Sequence, residues 1–272
     1  MLSMLFGLCL LAQTALASTT HLIAIGVCPP WKGMDARFCT DTVADMSQAL
    51  SQRFEIPAQN THTLLNEQAT VAGLADFLNG LPEFTKSDRL VLYTVMHNGS
   101  NHAGTAATAA NDVMVFWSEK DPRVTQFALA EHKWLKAGEF ATWLHQLGMG
   151  ELIAVFDACQ SGAIALDVMH DVAAPGTQVA TISSAKPGQL ANLTQDLSRP
   201  LFSGALIAAL ATGAKSPLPA LLASVDSDVS ARAIPICAQR KEQMRKNNGF
   251  EPNCNQTPIF RDPDGLLAPP SR

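Results

Sequence analysis

The sequence predicts an α/β fold with a mostly parallel central sheet flanked by helices. Three observations carry that prediction. Residues 152–156, Leu-Ile-Ala-Val-Phe, form a run too short for a helix and apolar on both faces, which is the signature of a fully buried parallel strand. Residues 90–96 form a second such run. Around them lie segments with apolar residues at helical spacing, so strands and helices alternate along the chain as in βαβ units. With 272 residues, 47% of them apolar and 16% charged, the chain has material for one sizeable core, and residues 18–272 read as a single domain.

Each element has a local signal. Residues 21–27 are strand-like, and Gly26 loosens their end. A helix follows over 40–53, with Thr40 or Asp41 as N-cap and Val43, Met46, Ala49 and Leu50 on one face. Residues 61–65 read as a short strand. Residues 68–81 read as a helix with Val71, Leu74, Ala75 and Leu78 toward the core, broken by Gly80 and Pro82. A polar turn at 86–89 leads into the strand at 90–96. The small, polar residues 98–111 read as a loop, and 113–117 as a short strand. Residues 137–147 predict a helix with Phe140, Trp143, Leu144 and Leu147 inward, stopped by Gly148. Beyond the strand at 152–156, a short helix is expected at 163–170, a Pro-Gly turn at 173–177 and a strand at 178–184. An apolar helix follows at 200–212 and another helix at 217–233. No internal repeat or low-complexity tract interrupts this order.

The chemistry gathers at two strand ends. Glu151 and the apolar run lead to Asp157, then to Ala158, Cys159, Gln160, Ser161 and Gly162, while the strand at 90–96 ends directly in His97. Ligands of open α/β sheets bind at the carboxyl ends of strands. A thiol with a pKa of about 8.5 is only slightly ionised at neutral pH, so a nucleophilic cysteine needs a neighbouring base, and His97 supplies one. His102, in the loop, is a rival base.

His97 after one apolar strand and Asp157-Ala158-Cys159-Gln160-Ser161-Gly162 after another resemble the caspase-like cysteine peptidases, which include metacaspases, bacterial caspase homologues and, more distantly, legumains. The order of elements, with a first strand, an acidic helix start near Asp41, the His strand, the Cys strand and the strand at 178–184, is similar over most of the chain. Beyond about residue 214 the match is loose. The resemblance implies a caspase-like fold and a cysteine endopeptidase with Cys159 as nucleophile and His97 as general base and acid. It implies an oxyanion site from backbone donors at Cys159 and just after His97, at Asn98 and Gly99. The family usually has Gly directly after the histidine, where this chain has Asn98, a residue that tolerates unusual backbone angles.

The resemblance also implies a substrate pocket bordered by Asp157, Asp41 and the strand ending at Ser184. Two carboxylates would favour Arg or Lys before the cut bond, whereas legumain-like relatives prefer Asn. Asp157 and Asp41 have plainer readings as helix or turn caps. Two other functions fit the same residues: a catalytically silent domain that binds peptides or proteins, and a legumain-like ligase.

Residues 1–17 form an apolar stretch ending in Ala15-Leu16-Ala17 and read as a secretory signal peptide, too short to span a bilayer and lacking Lys or Arg. A secreted or periplasmic location follows, with no stable membrane insertion once the signal is removed. Five cysteines then remain, an odd number in an oxidising compartment. Cys28 and Cys39 flank one loop and Cys237 and Cys254 another, so the expected disulfides are Cys28–Cys39 and Cys237–Cys254. Each stabilises by about 3 kcal/mol, and Cys159 stays reactive. No C-x-x-C spacing supports a metal, Asp262-Pro-Asp264-Gly265 reads as a turn, and no cofactor is expected. A formal charge of −5 with no basic stripe argues against nucleic acid, and the cluster at 240–246 reads as a solvated helix face. The expected partner is a peptide or protein substrate. Sequons begin at Asn98, Asn192 and Asn255. A glycan on Asn98 would crowd His97, which suits a bacterial periplasm.

Overall fold

The computed structural model describes residues 18–28, 37–100, 112–117, 134–173, 176–213, 216–248 and 252–267. The expected signal peptide and His102 lie outside them. Six strands form one sheet in the order β2 (Thr61–Leu65), β1 (Thr20–Gly26), β3 (Arg89–Val95), β7 (Glu151–Asp157), β8 (Gln178–Ser183) and β9 (Ile259–Arg261). The first five run parallel, and β9 closes the edge antiparallel to β8. A second, antiparallel sheet joins β4 (His97–Ser100), β5 (Asp112–Val115) and β6 (Trp134–Lys136).

Strand side chains alternate between the faces, and here each face meets its own helical layer. Leu22, Val91, Tyr93, Ile153 and Val155 point to one face and pack against α1 (Arg37–Arg53), α5 (Leu201–Thr212) and α6 (Leu218–Asn248). Ile23, Leu92, Leu152, Ala154 and Phe156 point to the other, against α2 (Val71–Asn79), α3 (Ala137–Gln146) and α4 (Ser161–Val172). This is the mostly parallel, helix-flanked sheet implied by the resemblance to caspase-like proteins. From β1 the chain passes to β2 on one side and then to β3 on the other. The strand order therefore reverses between β1 and β3, and a crevice opens at their carboxyl ends.

Several expectations change. The first helix begins at Arg37, so neither Thr40 nor Asp41 is its cap. Residues 98–100 are not loop but belong with His97 to β4, because pairing with β5 gives their backbone a ladder that no local pattern announces. The last helix continues through Pro235 to Asn248, fifteen residues past its expected end. Both disulfides are formed, with Cα–Cα distances of 5.4 and 5.2 Å, and Cys159 is the free cysteine among the described residues. Residues 262–265 are a turn: Asp262 accepts from the Leu266 and Leu267 N–H groups at 2.7 and 2.9 Å, and Gly265 takes φ +76°. No described helix is long and apolar enough to cross a membrane.

Behind the second sheet, Asp112 is 2% exposed and neither carboxylate oxygen has a hydrogen-bond partner among the described residues. Burial pushes its pKa up to about 6, and burial together with the Asp112 and Asp171 charges pushes Asp167 of α4 up to about 6 as well. The folded chain therefore holds protons that the unfolded chain releases near pH 4, so stability falls as pH rises from about 4 to 6. Asp112→Asn is expected to melt at a higher temperature than the parent at pH 7.5 and at the same temperature at pH 4. Equal melting temperatures at both pH values would refute this.

Candidate active site

The register of β3 and β7 builds the site. Val95 pairs with Asp157, and the Met96 N–H donates to the Asp157 carbonyl at 3.4 Å. His97 and Cys159 each lie two residues beyond that pair, and both line one cleft of about 550 Å³ at the carboxyl end of the sheet. Val27 and Cys39, from the ends of β1 and α1, line the same cleft.

Each residue of the Cys turn has a structural task. Asp157 has the parity of Ile153 and Val155, so it faces the layer that holds α5. There Oδ2 accepts from the Ser203 N–H at 3.1 Å and from its hydroxyl at 2.5 Å. Pro200, the residue before the helix, offers no side-chain acceptor, so Asp157 caps α5 from a neighbouring strand. The Ser203 hydroxyl also meets the Tyr93 hydroxyl at 2.8 Å. Burial raises the Asp157 pKa, and the Ser203 and Ser184 hydrogen bonds pull it back.

Gln160 holds φ +58° and forms the N-cap of α4. The Ser161 hydroxyl is fully buried and accepts from the Ala185 N–H at 3.1 Å. A Cβ on Gly162 would lie 2.8 Å from the Ala185 carbonyl oxygen and from Pro187 Cδ, so only glycine lets α4 start this close to the end of β8.

Cys159 is half-buried and sits directly before the N-terminus of α4. Burial raises its thiol pKa, a backbone hydrogen bond from Ala191 and the Arg240 charge lower it, and Asp157 raises it. Burial lowers the His97 pKa, so its imidazole is neutral at neutral pH.

The other expected site residues are placed differently. Asp41 is exposed on the second turn of α1 and is not among the residues lining the cleft, so the two carboxylates are not brought together. Ser184 is fully buried and does not line the cleft. Its hydroxyl accepts from the Ala158 N–H at 3.1 Å and donates to the Ala158 carbonyl at 3.2 Å, clamping the Cys turn from behind. Asn98 and Gly99 follow His97 along β4. Neither has a positive φ, so the position after the histidine makes no demand here that only glycine would meet. The Asn98 amide oxygen is buried without a hydrogen-bond partner among the described residues. The sequon at Asn192 is 4% exposed with its amide engaged, so the folded chain cannot present it for glycosylation.

Sequence reasoning missed the far wall of the cleft. Residues 191–195, Leu197 and the late turns of α6 form it, including Arg240, which the sequence pattern places on a solvated face. Arg245 and Lys246 do fit that reading, pairing with Glu242 at the surface. The Cys237–Cys254 link was the sequence signal that this helix end is fixed in place.

No protein-family model matches the chain, and no curated protein matches it. Among solved structures, it is similar to a structural-genomics crystal structure of a protein from Geobacter sulfurreducens, at 14% identity and TM-score 0.55, covering 92% of this chain and 97% of that one. It is also similar to caspase-1 from Spodoptera frugiperda, at 14% identity and TM-score 0.48, covering 90% of this chain and 86% of that one. At that identity the Geobacter likeness shows a shared fold alone.

Proposed function

We propose that the chain is a secreted or periplasmic cysteine endopeptidase acting through Cys159 and His97. The single observation that carries this reading is the β3–β7 register, which delivers a thiol and a neutral imidazole to one cleft. His97 takes the thiol proton as the sulfur attacks the substrate carbonyl carbon. It then gives that proton to the leaving amine as the C–N bond breaks, leaving a thioester that water hydrolyses. Backbone N–H groups at Cys159 and just after His97 hold the oxyanion, and the N-terminus of α4 favours negative charge at the sulfur. The two disulfides suit an oxidising compartment.

A preference for Arg or Lys before the cut bond rests on Asp157 alone, since Asp41 stands outside the cleft. A fluorogenic peptide panel with Arg, Lys, Asn or Asp at that position, run on the intact protein, tests the reading. Cleavage after Arg or Lys is expected, cleavage after Asn alone would move the chain toward legumain-like chemistry, and no cleavage of any peptide would sink the peptidase reading. One observation favours the silent, peptide-binding alternative: burial raises the Cys159 thiol pKa instead of lowering it.

A further inference from the structure

Among the described residues lining the cleft, Arg240 is the one that carries a permanent positive charge, and no described carboxylate pairs with it. Its guanidinium instead lies 3.5 Å from two neutral acceptors, the Ala191 carbonyl and Asn192 Oδ1. Asn192 is fixed on every side. Its N–H donates to Gln256 Oε1 at 2.8 Å, its Nδ2 donates to the Cys254 carbonyl at 2.9 Å, and its carbonyl accepts from the Leu201 N–H at 2.9 Å. Gln256 is 1% exposed, and its Nε2 donates to the Ser184 carbonyl at 3.0 Å, next to the hydroxyl that clamps Ala158. Cys254 is bonded to Cys237, one turn before Arg240 on α6. The frame thus runs from the Cys turn through Ser184, Gln256 and Asn192 back to the helix that carries Arg240.

A long cation left without a carboxylate partner, and held by neutral groups in the lining of a cleft, keeps its field available to an anion there. Asp157 also lines the cleft, but its Oδ2 is held by the Ser203 N–H and hydroxyl, so the anion left to meet Arg240 is the Cys159 thiolate. We propose that Arg240 is the counter-charge of that thiolate and that Asn192 is the positioning residue that holds it there. The other titratable groups lining the cleft are His97 from β4 and Asp157 from β7; α1 contributes Phe38 and Cys39, and residues 191–195, 197 and 200 are uncharged, while Asp196 and Arg199 do not line it and Arg199 pairs with Asp45. Asp157 is buried and turned to α5, so it does not neutralise Arg240. The inference concerns the nucleophile of the proposed peptidase, but its test requires no cleavage.

The experiment is alkylation of Cys159 by iodoacetamide from pH 5 to 10. It uses the disulfide-bonded protein without reductant and follows the mass of the Cys159 peptide. The parent should show a sigmoidal rate against pH. Arg240→Gln should move the midpoint upward and slow alkylation at pH 7 by about threefold to tenfold, a tenfold loss being one pKa unit, with the alkaline plateau unchanged. Arg240→Lys should stay near the parent. Asn192→Ala should shift the midpoint in the same direction as Arg240→Gln, and if that buried substitution prevents folding the Arg240 pair still decides. An unchanged midpoint in Arg240→Gln would overturn the inference. So would a Lys variant that shifts as far as Gln, or an equal loss of rate at every pH. A protein that alkylates as expected yet cleaves no peptide would overturn the peptidase reading and leave this one standing.

Discussion

Cys159→Ala is expected to abolish peptide cleavage, and His97→Ala to slow it by roughly 10²–10⁴-fold. The asymmetry follows from the chemistry. Without sulfur there is no atom to form the thioester, and losses on the order of 10⁶-fold accompany removal of a nucleophile. Without the imidazole, the thiol still ionises to a small extent and solvent can protonate the amine slowly. The pH dependence is signed as well. Burial lowers the His97 pKa, so the acid limb of kcat/KM should lie below the ordinary histidine value of about 6.5. Activity then persists into mildly acidic solution, and the limb disappears in His97→Ala. Full activity in Cys159→Ala, or an unchanged acid limb without His97, would refute the dyad.

The second large effect is on stability. Asp157→Ala is expected to cost about 2–4 kcal/mol and to lower the melting temperature by roughly 5–15 °C. It removes the only side-chain acceptor described for the Ser203 N–H at the start of α5 and strips the Tyr93–Ser203 hydroxyl pair of its carboxylate. Asp157→Asn keeps an oxygen for the N–H and should cost much less. The Asn variant also separates two roles, because it keeps the cap while losing the charge. If cleavage after Arg or Lys falls in Asp157→Asn while folding holds, the carboxylate reads substrate. If the selectivity is unchanged, Asp157 is a helix cap alone. A melting temperature for Asp157→Ala within a degree of the parent would refute the capping account.

Short-range pattern was enough for the parallel sheet. The strand at Thr61–Leu65 has the bounds its residues announce, and the apolar run at 152–156 gains one residue at each end to become Glu151–Asp157; that run was legible because a strand buried on both faces is apolar throughout. The helices that bury one stripe were equally legible, and so was the pairing of four cysteines around two loops. From these alone came the α/β class, the two strand ends that carry His97 and Cys159, and the single free thiol. Strands β4, β6 and β9 left no mark, since each is three or four residues long and exists only through its partner.

Only the tertiary structure decided which side chains meet. The β3–β7 register put His97 and Cys159 in one cleft, strand parity turned Asp157 to the start of α5, and Asp41 stayed on the outer turn of α1. Ser184 became a clamp instead of a pocket wall. Arg240, 81 positions after Cys159 in the sequence, came to line the same cleft. The physical reason is range: periodicity and capping act within a few residues, whereas a cap lent by another strand, a cation and a thiol lining one cleft and an amide bridging two segments depend on packing between parts of the chain that no local pattern links.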